Sequence, residues 1–257
     1  MKKIRSLLIL LVVGLCFYSV PAKADYVDLE LLLLADVSGS MSTTEYNYQR
    51  LGYAAAFNNP TIQAAIAAKP YGIAVAYAQW SNVSEQSLVV GWTKLTDAAS
   101  AIAFAGLISG SARQYSSQTA PGSAINWAVA NQFAVDNGFE SDRLVINISG
   151  DGAQNRPLVS VDPYHTFNAA TAALAAGIQI NGLVILGETG VRDWYEDNIT
   201  VPGGGFLVTA ASGADFEAAV LRKIGIEVQL VPEPATMLLL GSGLLGLGVF
   251  ARRRFKK

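Results

Sequence analysis

The sequence predicts an α/β fold: a doubly wound, mostly parallel sheet with helices on both faces and one hairpin strand at its edge. Short apolar runs alternate with longer helical patterns between residues 25 and 230, and such alternation is typical of a parallel sheet covered on both sides. The run 27–35 becomes continuously apolar, as a buried central strand does. Because no long linker or internal repeat interrupts this stretch, we expect one domain at 25–230.

The elements follow in chain order. After strand 27–35, the residues Ser-Thr-Thr-Glu at 42–45 predict the start of a helix that runs to about residue 58. Further strands are predicted at 72–80, 86–92 (the hairpin partner of 72–80), 142–149, 178–186 and 205–209. Further helices are predicted at 60–68, 97–107, 123–137, 166–176, 191–198 and 215–226.

Residues 1–24 have the pattern of a secretory signal peptide. Lys2, Lys3 and Arg5 precede an apolar run that extends to about residue 18, and small residues precede a cleavage position before Asp25. An uncleaved anchor helix is the alternative. Cys16 is the only cysteine, so the mature chain is expected to have neither a disulfide nor a thiolate metal site.

The C-terminal segment 231–257 contains an uncharged, mostly apolar run at 235–251, which as a helix would span ~25 Å. Val-Pro-Glu-Pro precedes this run and a cluster of Arg and Lys follows it. This order resembles the PEP-CTERM sorting signal of Gram-negative bacteria. The resemblance implies export, transient anchoring of a transmembrane helix in the inner membrane, and cleavage by an exosortase. A permanent membrane anchor is the alternative.

The charge of the central region excludes one class of partner. Residues 25–230 carry 9 Lys and Arg against 19 Asp and Glu, a formal charge of about −10. Nucleic-acid binding needs clustered positive charge, so no nucleic-acid partner is expected.

Oxygen-bearing side chains follow two of the predicted strands. Asp36, Ser38 and Ser40 alternate after the first strand, and Asp151 stands between two glycines after strand 142–149. Alternate residues of an extended turn point the same way, and sites in open α/β sheets form where strands end. Carboxylates and hydroxyls suit a hard cation, Mg²⁺ first, with Mn²⁺ or Ca²⁺ as alternatives. A metal with open coordination positions would accept an anionic ligand.

Asp-x-Ser-x-Ser at 36–40 resembles the metal-ion-dependent adhesion site (MIDAS) of von Willebrand factor type A (vWA) domains. In that family a Thr of a middle loop and a later Asp complete the site. The resemblance, over about residues 29–226, implies Asp151 as that Asp. It implies Ser123, in Gly-Ser-x-Ile-x-x-Ala, in the place of the Thr, with Thr119 as the alternative. The form around Asp151 resembles a bacterial subfamily of unassigned function.

The predicted function is therefore an exported adhesion module and not an enzyme. Its divalent cation would capture an acidic group of a protein or extracellular-matrix partner, in the cell envelope, at the outer surface or after secretion. One alternative is a haloacid-dehalogenase-like phosphatase, but that chemistry needs an acid where Ser38 stands. A serine hydrolase is weaker, because the chain has no G-x-S-x-G elbow and one histidine, His165, expected at the surface or as a cap. A structural surface protein with a vestigial metal loop is the third alternative.

Overall fold

A computed structural model describes residues 24–229 except 159 and 163. The predicted signal peptide up to residue 23 and the predicted transmembrane helix at 235–251 lie outside the described residues. Among the described residues, no helix combines the length and apolar character needed to cross a membrane.

Six strands form the central sheet, in the order β4-β3-β2-β6-β7-β8. All neighbours are parallel except β4, which pairs antiparallel with β3 as the predicted hairpin. β2 lies between β3 and β6, as expected for the two strands that end in the oxygen-bearing loops. A separate two-stranded ladder, β1 with β5, was not predicted. The strand bounds are β1 Asp25–Tyr26, β2 Glu30–Asp36, β3 Ile73–Trp80, β4 Gln86–Leu95, β5 Phe139–Glu140, β6 Leu144–Gly150, β7 Ile178–Ile185 and β8 Leu207–Ala210.

The described part of the chain has seven α-helices: α1 Thr43–Asn58, α2 Pro60–Ala67, α3 Ala98–Ser109, α4 Pro121–Ala128, α5 His165–Ala175, α6 Val191–Tyr195 and α7 Phe216–Gln229. The predicted start of α1 is confirmed by a capping box between Ser42 and Glu45. The helix predicted at 123–137 begins earlier, because Pro121 suits a first helical turn. That helix continues past α4 only as a π-helical turn to Phe133.

The sheet is covered on both faces by apolar side chains. On one face, Leu31 and Leu33 of β2 pack in a cluster with residues of α1, α2, α3 and α7. On the other face, Leu32 and Leu34 pack with residues of α4, α5 and α6. Because both faces of β2 are buried, all its residues are hidden from solvent, and this explains its continuous apolar sequence.

A buried ion pair lies between α7 and the sheet. Lys223 Nζ is 3.2 Å from Glu227 Oε1, and both side chains are fully buried. Asn147 of β6 and Asn181 of β7 each donate a hydrogen bond to the carboxylate of Glu227, at 2.7 and 2.9 Å. Burial lowers the pKa of Lys223 to about 8, against the opposing effect of Glu227. The ion pair lies within α7, and the two asparagine hydrogen bonds to Glu227 join that helix to the sheet; the cost of burying charge offsets much of the attraction within the pair.

The direction of α7 follows from the parallel sheet. β8 runs toward the edge at which β2 and β6 end, and α7 returns to the opposite edge. Its last turn is held there by Arg143, which precedes β6 and donates a 3.0 Å hydrogen bond from Nη2 to the carbonyl oxygen of Glu227.

Candidate metal centre

The two predicted ligand loops meet at the carboxyl edge of the sheet. Asp36 is the last residue of β2, and Asp151 directly follows the neighbouring strand β6. The hydroxyl of Ser40 donates a 2.7 Å hydrogen bond to Oδ1 of Asp151, which joins the loops. The backbone N–H of Ser38 donates to Oδ1 of Asp36 at 2.7 Å and turns the chain sharply after the strand.

The loop 110–120 between α3 and α4, the middle loop, contributes Thr119 to this group. Its hydroxyl donates to Oγ of Ser38 at 3.2 Å, and Oγ of Ser38 lies 3.1 Å from Oγ of Ser40. The structure places Ser123 elsewhere, with Oγ 3.1 Å from Nε2 of His165. The reason is local: α4 begins at Pro121, so Ser123 lies in the first helical turn and faces α5. The group of oxygen-bearing side chains is therefore Asp36, Ser38, Ser40, Thr119 and Asp151.

This group has an inner and an outer layer. Asp36 and Ser38 are fully buried and Thr119 is 3 % exposed, whereas Ser40 is exposed and Asp151 is half-buried. The buried oxygen Oδ2 of Asp36 has no hydrogen-bond partner. Burial, and after it the charge of Asp151, raises the pKa of Asp36 to about 8. Two carboxylates in such a place are costly when ionised, and a cation would remove that cost.

Because Gly150 has no side chain, Asp36 and Tyr195 can both lie close to the end of β6. A Cβ at this position would lie 2.7 Å from Oδ2 of Asp36 and would overlap the hydroxyl of Tyr195. That hydroxyl is also buried without a hydrogen-bond partner. Burial, then the charge of Asp36, raises the pKa of Tyr195 well above its usual value. Tyr195 therefore stays neutral beside the carboxylate.

Arg113 holds the first ligand loop, residues 37–42, through hydrogen bonds to its backbone. Its Nη2 donates hydrogen bonds to the carbonyl oxygens of Val37, Ser38 and Met41, at 3.0, 2.6 and 2.9 Å. Its Nε donates to the carbonyl oxygens of Val37 and Tyr115, at 3.3 and 3.0 Å. The guanidinium thus fixes the backbone of the loop in the conformation in which Ser38 and Ser40 face Asp151. This role could not be predicted from the sequence, since Arg113 belongs to no motif.

Asn155 holds the middle loop in a similar way. Its Oδ1 accepts from the N–H of Thr119 at 2.8 Å, and its own N–H donates to the carbonyl oxygen of Thr119 at 2.9 Å. Behind the first loop, Nε2 of Gln49 donates to the carbonyl oxygen of Asp36 at 2.8 Å. Neither role was predicted; the one signal in the sequence is that Asn155 stands in the loop that contains Asp151.

His165 contacts both α4 and the loop before α5. It is the first residue of α5, its side chain is 22 % exposed, and its Nδ1 lies 3.3 Å from Oδ2 of Asp162. With the contact to Ser123 described above, Ser123, His165 and Asp162 form a line of side chains. His165 was expected at the surface or as a cap residue; it is partly exposed at the start of α5, and its ring also contacts α4 and the loop before α5.

The set of donor atoms suits a hard divalent cation. Within residues 24–229, apart from the two undescribed positions, no group of three or more His, Cys, Asp or Glu side chains is arranged to hold a metal. Two carboxylates and three hydroxyls converge instead, and waters would complete an octahedral shell around Mg²⁺. The unpartnered, buried oxygen of Asp36 is the observation that fits a cation at this place.

The fold, with ligand loops at the carboxyl edge of a mostly parallel sheet, defines a vWA-like domain. The chain belongs to the family described as "Protein of unknown function (DUF1194)", whose model matches residues 26–232. Residues 230–254 match the PEP-CTERM protein-sorting motif, and this motif indicates export and sorting to the cell surface. No curated protein matches this chain.

Solved structures share the fold at low sequence identity. Proximal thread matrix protein 1 from the mussel byssus, with a zinc-occupied MIDAS motif, matches at TM-score 0.60 and 17% identity over 81% of this chain and 50% of its own. The pilus adhesin SpaC from Lactobacillus rhamnosus GG matches at 0.57 and 17%, over 79% and 30%. The vWF domain of the pili tip protein Mfa5 from Porphyromonas gingivalis matches at 0.54 and 12%, over 82% and 98%. The chain thus spans about half the length of the mussel protein.

Proposed function

We propose that this chain is an exported adhesion module, not an enzyme, that captures an anionic group of a protein or matrix partner through a divalent cation. Asp36, Ser38, Ser40, Thr119 and Asp151 hold the cation, with Mg²⁺ as the first choice and Mn²⁺ or Ca²⁺ as alternatives. Thr119 takes the role for which the sequence favoured Ser123. The observation that carries the proposal is the convergence of these oxygens around the unpartnered buried oxygen of Asp36.

The layered burial supports capture of an anion from outside. The inner ligands are closed to solvent, so only the face beside Ser40 and Asp151 is open to a partner. The domain itself is strongly acidic, and its long-range field repels an acidic partner. Attraction must therefore come from the cation at contact distance, and partner binding should need the metal absolutely.

The sorting motif supports the proposed export of the chain. The domains are a signal peptide at 1–24, the adhesion domain at 25–230 and the sorting segment at 231–257. We infer that the apolar run at 235–251 anchors the chain transiently in the inner membrane until an exosortase cleaves it near Pro-Glu-Pro. An intact mass from the native host that retains residues 235–257 would contradict the cleavage.

Titration of the purified full-length chain with Mn²⁺, followed by electron paramagnetic resonance of the free ion, tests the metal centre. Asp36→Asn and Asp151→Asn should each abolish binding while circular dichroism shows an unchanged fold, because each removes one of two charged ligands. Asp197→Asn, which changes an exposed acid of the π-helical turn after α6, is the matched control and should bind as the wild type does. Unchanged Mn²⁺ binding in both ligand variants would show that the metal loop is vestigial.

The line Ser123–His165–Asp162 is the observation that favours an alternative, a hydrolase, because the contacts follow the order of a serine triad. We propose that it has a structural role instead. A Cβ on the neighbouring Gly122 would lie 2.6 Å from Cδ2 of His165, so α4 and α5 are packed tightly at this point. A fluorophosphonate probe should not label the wild-type chain, and labelling that Ser123→Ala removes would support the hydrolase.

A further inference from the structure

A third carboxylate lies beside the proposed metal centre and has no part in it so far. Glu188 stands in the loop 186–190 between β7 and α6, and all five residues of this loop are exposed. Its Oε2 accepts a hydrogen bond from the N–H of Ala153 at 3.3 Å, which places the carboxylate against the loop that contains Asp151.

Gly152 leaves the space between this carboxylate and the ligands open. A Cβ on Gly152 would lie 3.5 Å from Oε2 of Glu188 and 3.9 Å from Oγ of Ser40. With the glycine in place, the outer ligand Ser40 and the carboxylate of Glu188 face each other across a gap that no side chain fills. Glu188 therefore approaches the ligands from the solvent side, the side from which a partner must come.

Two glycines flank Glu188 in its exposed loop. Gly187 directly precedes Glu188, and Gly190 follows it two residues later. A Cβ at either glycine would meet nothing within 4 Å. Gly190 has a φ of 80°, which other residues rarely adopt. Glycines on both sides of an exposed acid let the loop take up alternative backbone conformations at low cost.

We propose that Glu188 completes the coordination shell of the bound cation as an internal ligand until an anionic group of a partner replaces it; this inference rests on the proposed function. The exchange substitutes one carboxylate for another, so the charge around the cation hardly changes when the partner binds. A carboxylate on a short tether competes at an effective concentration of the order of millimolar. Weak anions are thereby excluded, and a partner needs contacts beyond its acidic group.

The charge of Glu188 is consistent with this position. Burial raises the pKa of Asp151, and the nearby charges of Glu45 and Glu188 raise it further. Glu45, Asp151 and Glu188 repel one another unless a cation lies among them. The proposal itself rests on the hydrogen bond to Ala153, the gap at Gly152 and the exposed, glycine-flanked loop.

The test counts the water molecules on Mn²⁺ bound to the full-length chain, by nuclear magnetic relaxation of the solvent. Glu188→Ala should gain about one inner-sphere water relative to the wild type. It should also bind acetate, the probe anion, about tenfold more tightly, as expected when an internal competitor that occupies ~90 % of the sites is removed. Glu188→Asp, which keeps the charge on a shorter side chain, should lie between the two.

The control is Glu140→Gln, which removes a charge from an exposed glutamate in the separate ladder of β1 and β5 and should change neither quantity. Equal hydration and equal acetate affinity in the wild type and in Glu188→Ala would overturn the role of Glu188 while leaving the metal centre intact. A wild-type chain that binds no Mn²⁺ would instead overturn the proposed function together with this inference.

Discussion

Arg113→Lys isolates the contribution of loop geometry to metal affinity. The substitution keeps the positive charge near the cation, so long-range electrostatics stay nearly constant. A lysine lacks the planar fork of the guanidinium and cannot reproduce the two hydrogen bonds from Nε to Val37 and Tyr115. At about 1 kcal/mol for each lost bond, the loop costs about 2 kcal/mol more to hold in its metal-binding conformation. If that whole cost appears on binding, Mn²⁺ affinity falls about 30-fold.

Isothermal titration calorimetry of the full-length chain measures this affinity directly. Hydrogen exchange of residues 36–42 without metal gives a second readout, and faster exchange is expected in Arg113→Lys because fewer hydrogen bonds hold the loop. Arg222→Lys makes the same chemical change on the exposed face of α7 and serves as the control. If Arg113→Lys binds Mn²⁺ as tightly as the wild type, Arg113 does not preorganise the site and the reasoning from its hydrogen bonds is refuted.

Three further predictions concern the ligands and the core. Thr119→Val should weaken Mn²⁺ binding about tenfold in the same calorimetry, whereas Ser123→Ala should leave it unchanged; the reverse result would restore Ser123 as the ligand. Gly150→Ala should lower the free energy of unfolding by about 2–3 kcal/mol in urea, because the new methyl group overlaps the carboxylate of Asp36. Since the pKa of Lys223 is lowered to about 8 by burial, the unfolded chain binds more protons above that pH, and stability should rise with pH by up to ~1 kcal/mol per unit. Lys223→Met should lack this rise, and an identical pH profile would contradict the assignment.

The fold could be predicted because its signals are local. Each central strand is a short apolar run, and the capping residues Ser42 and Glu45 indicate the start of α1. The π-helical turns after α4 and α6 have no comparable signature, since they depend on how the helices pack. The two-residue ladder of β1 with β5 is too short to leave a pattern.

The candidate site was only partly predictable for a related reason. Asp36, Ser38, Ser40 and Asp151 follow strands directly, so the sheet determines where they meet. Thr119 and Ser123 are separated by the start of a helix, and their roles depend on where that helix begins. Arg113 donates hydrogen bonds to backbone carbonyl oxygens. Because every residue has such an oxygen, no side-chain motif in the sequence indicates which residues Arg113 binds. Its position could be found only from the three-dimensional structure.

The direction of α7 determines at which end of the domain the chain continues into the sorting motif. The helix carries the chain from the edge that holds Asp36 and Asp151 back to the opposite pole, ~20 Å away for its 14 residues. There Arg143 fastens its last turn, and the sorting motif begins at the next residue, 230. A tether attached through that motif would pull on the pole opposite the proposed metal centre, and the proposed binding face would then point away from the surface that carries the tether.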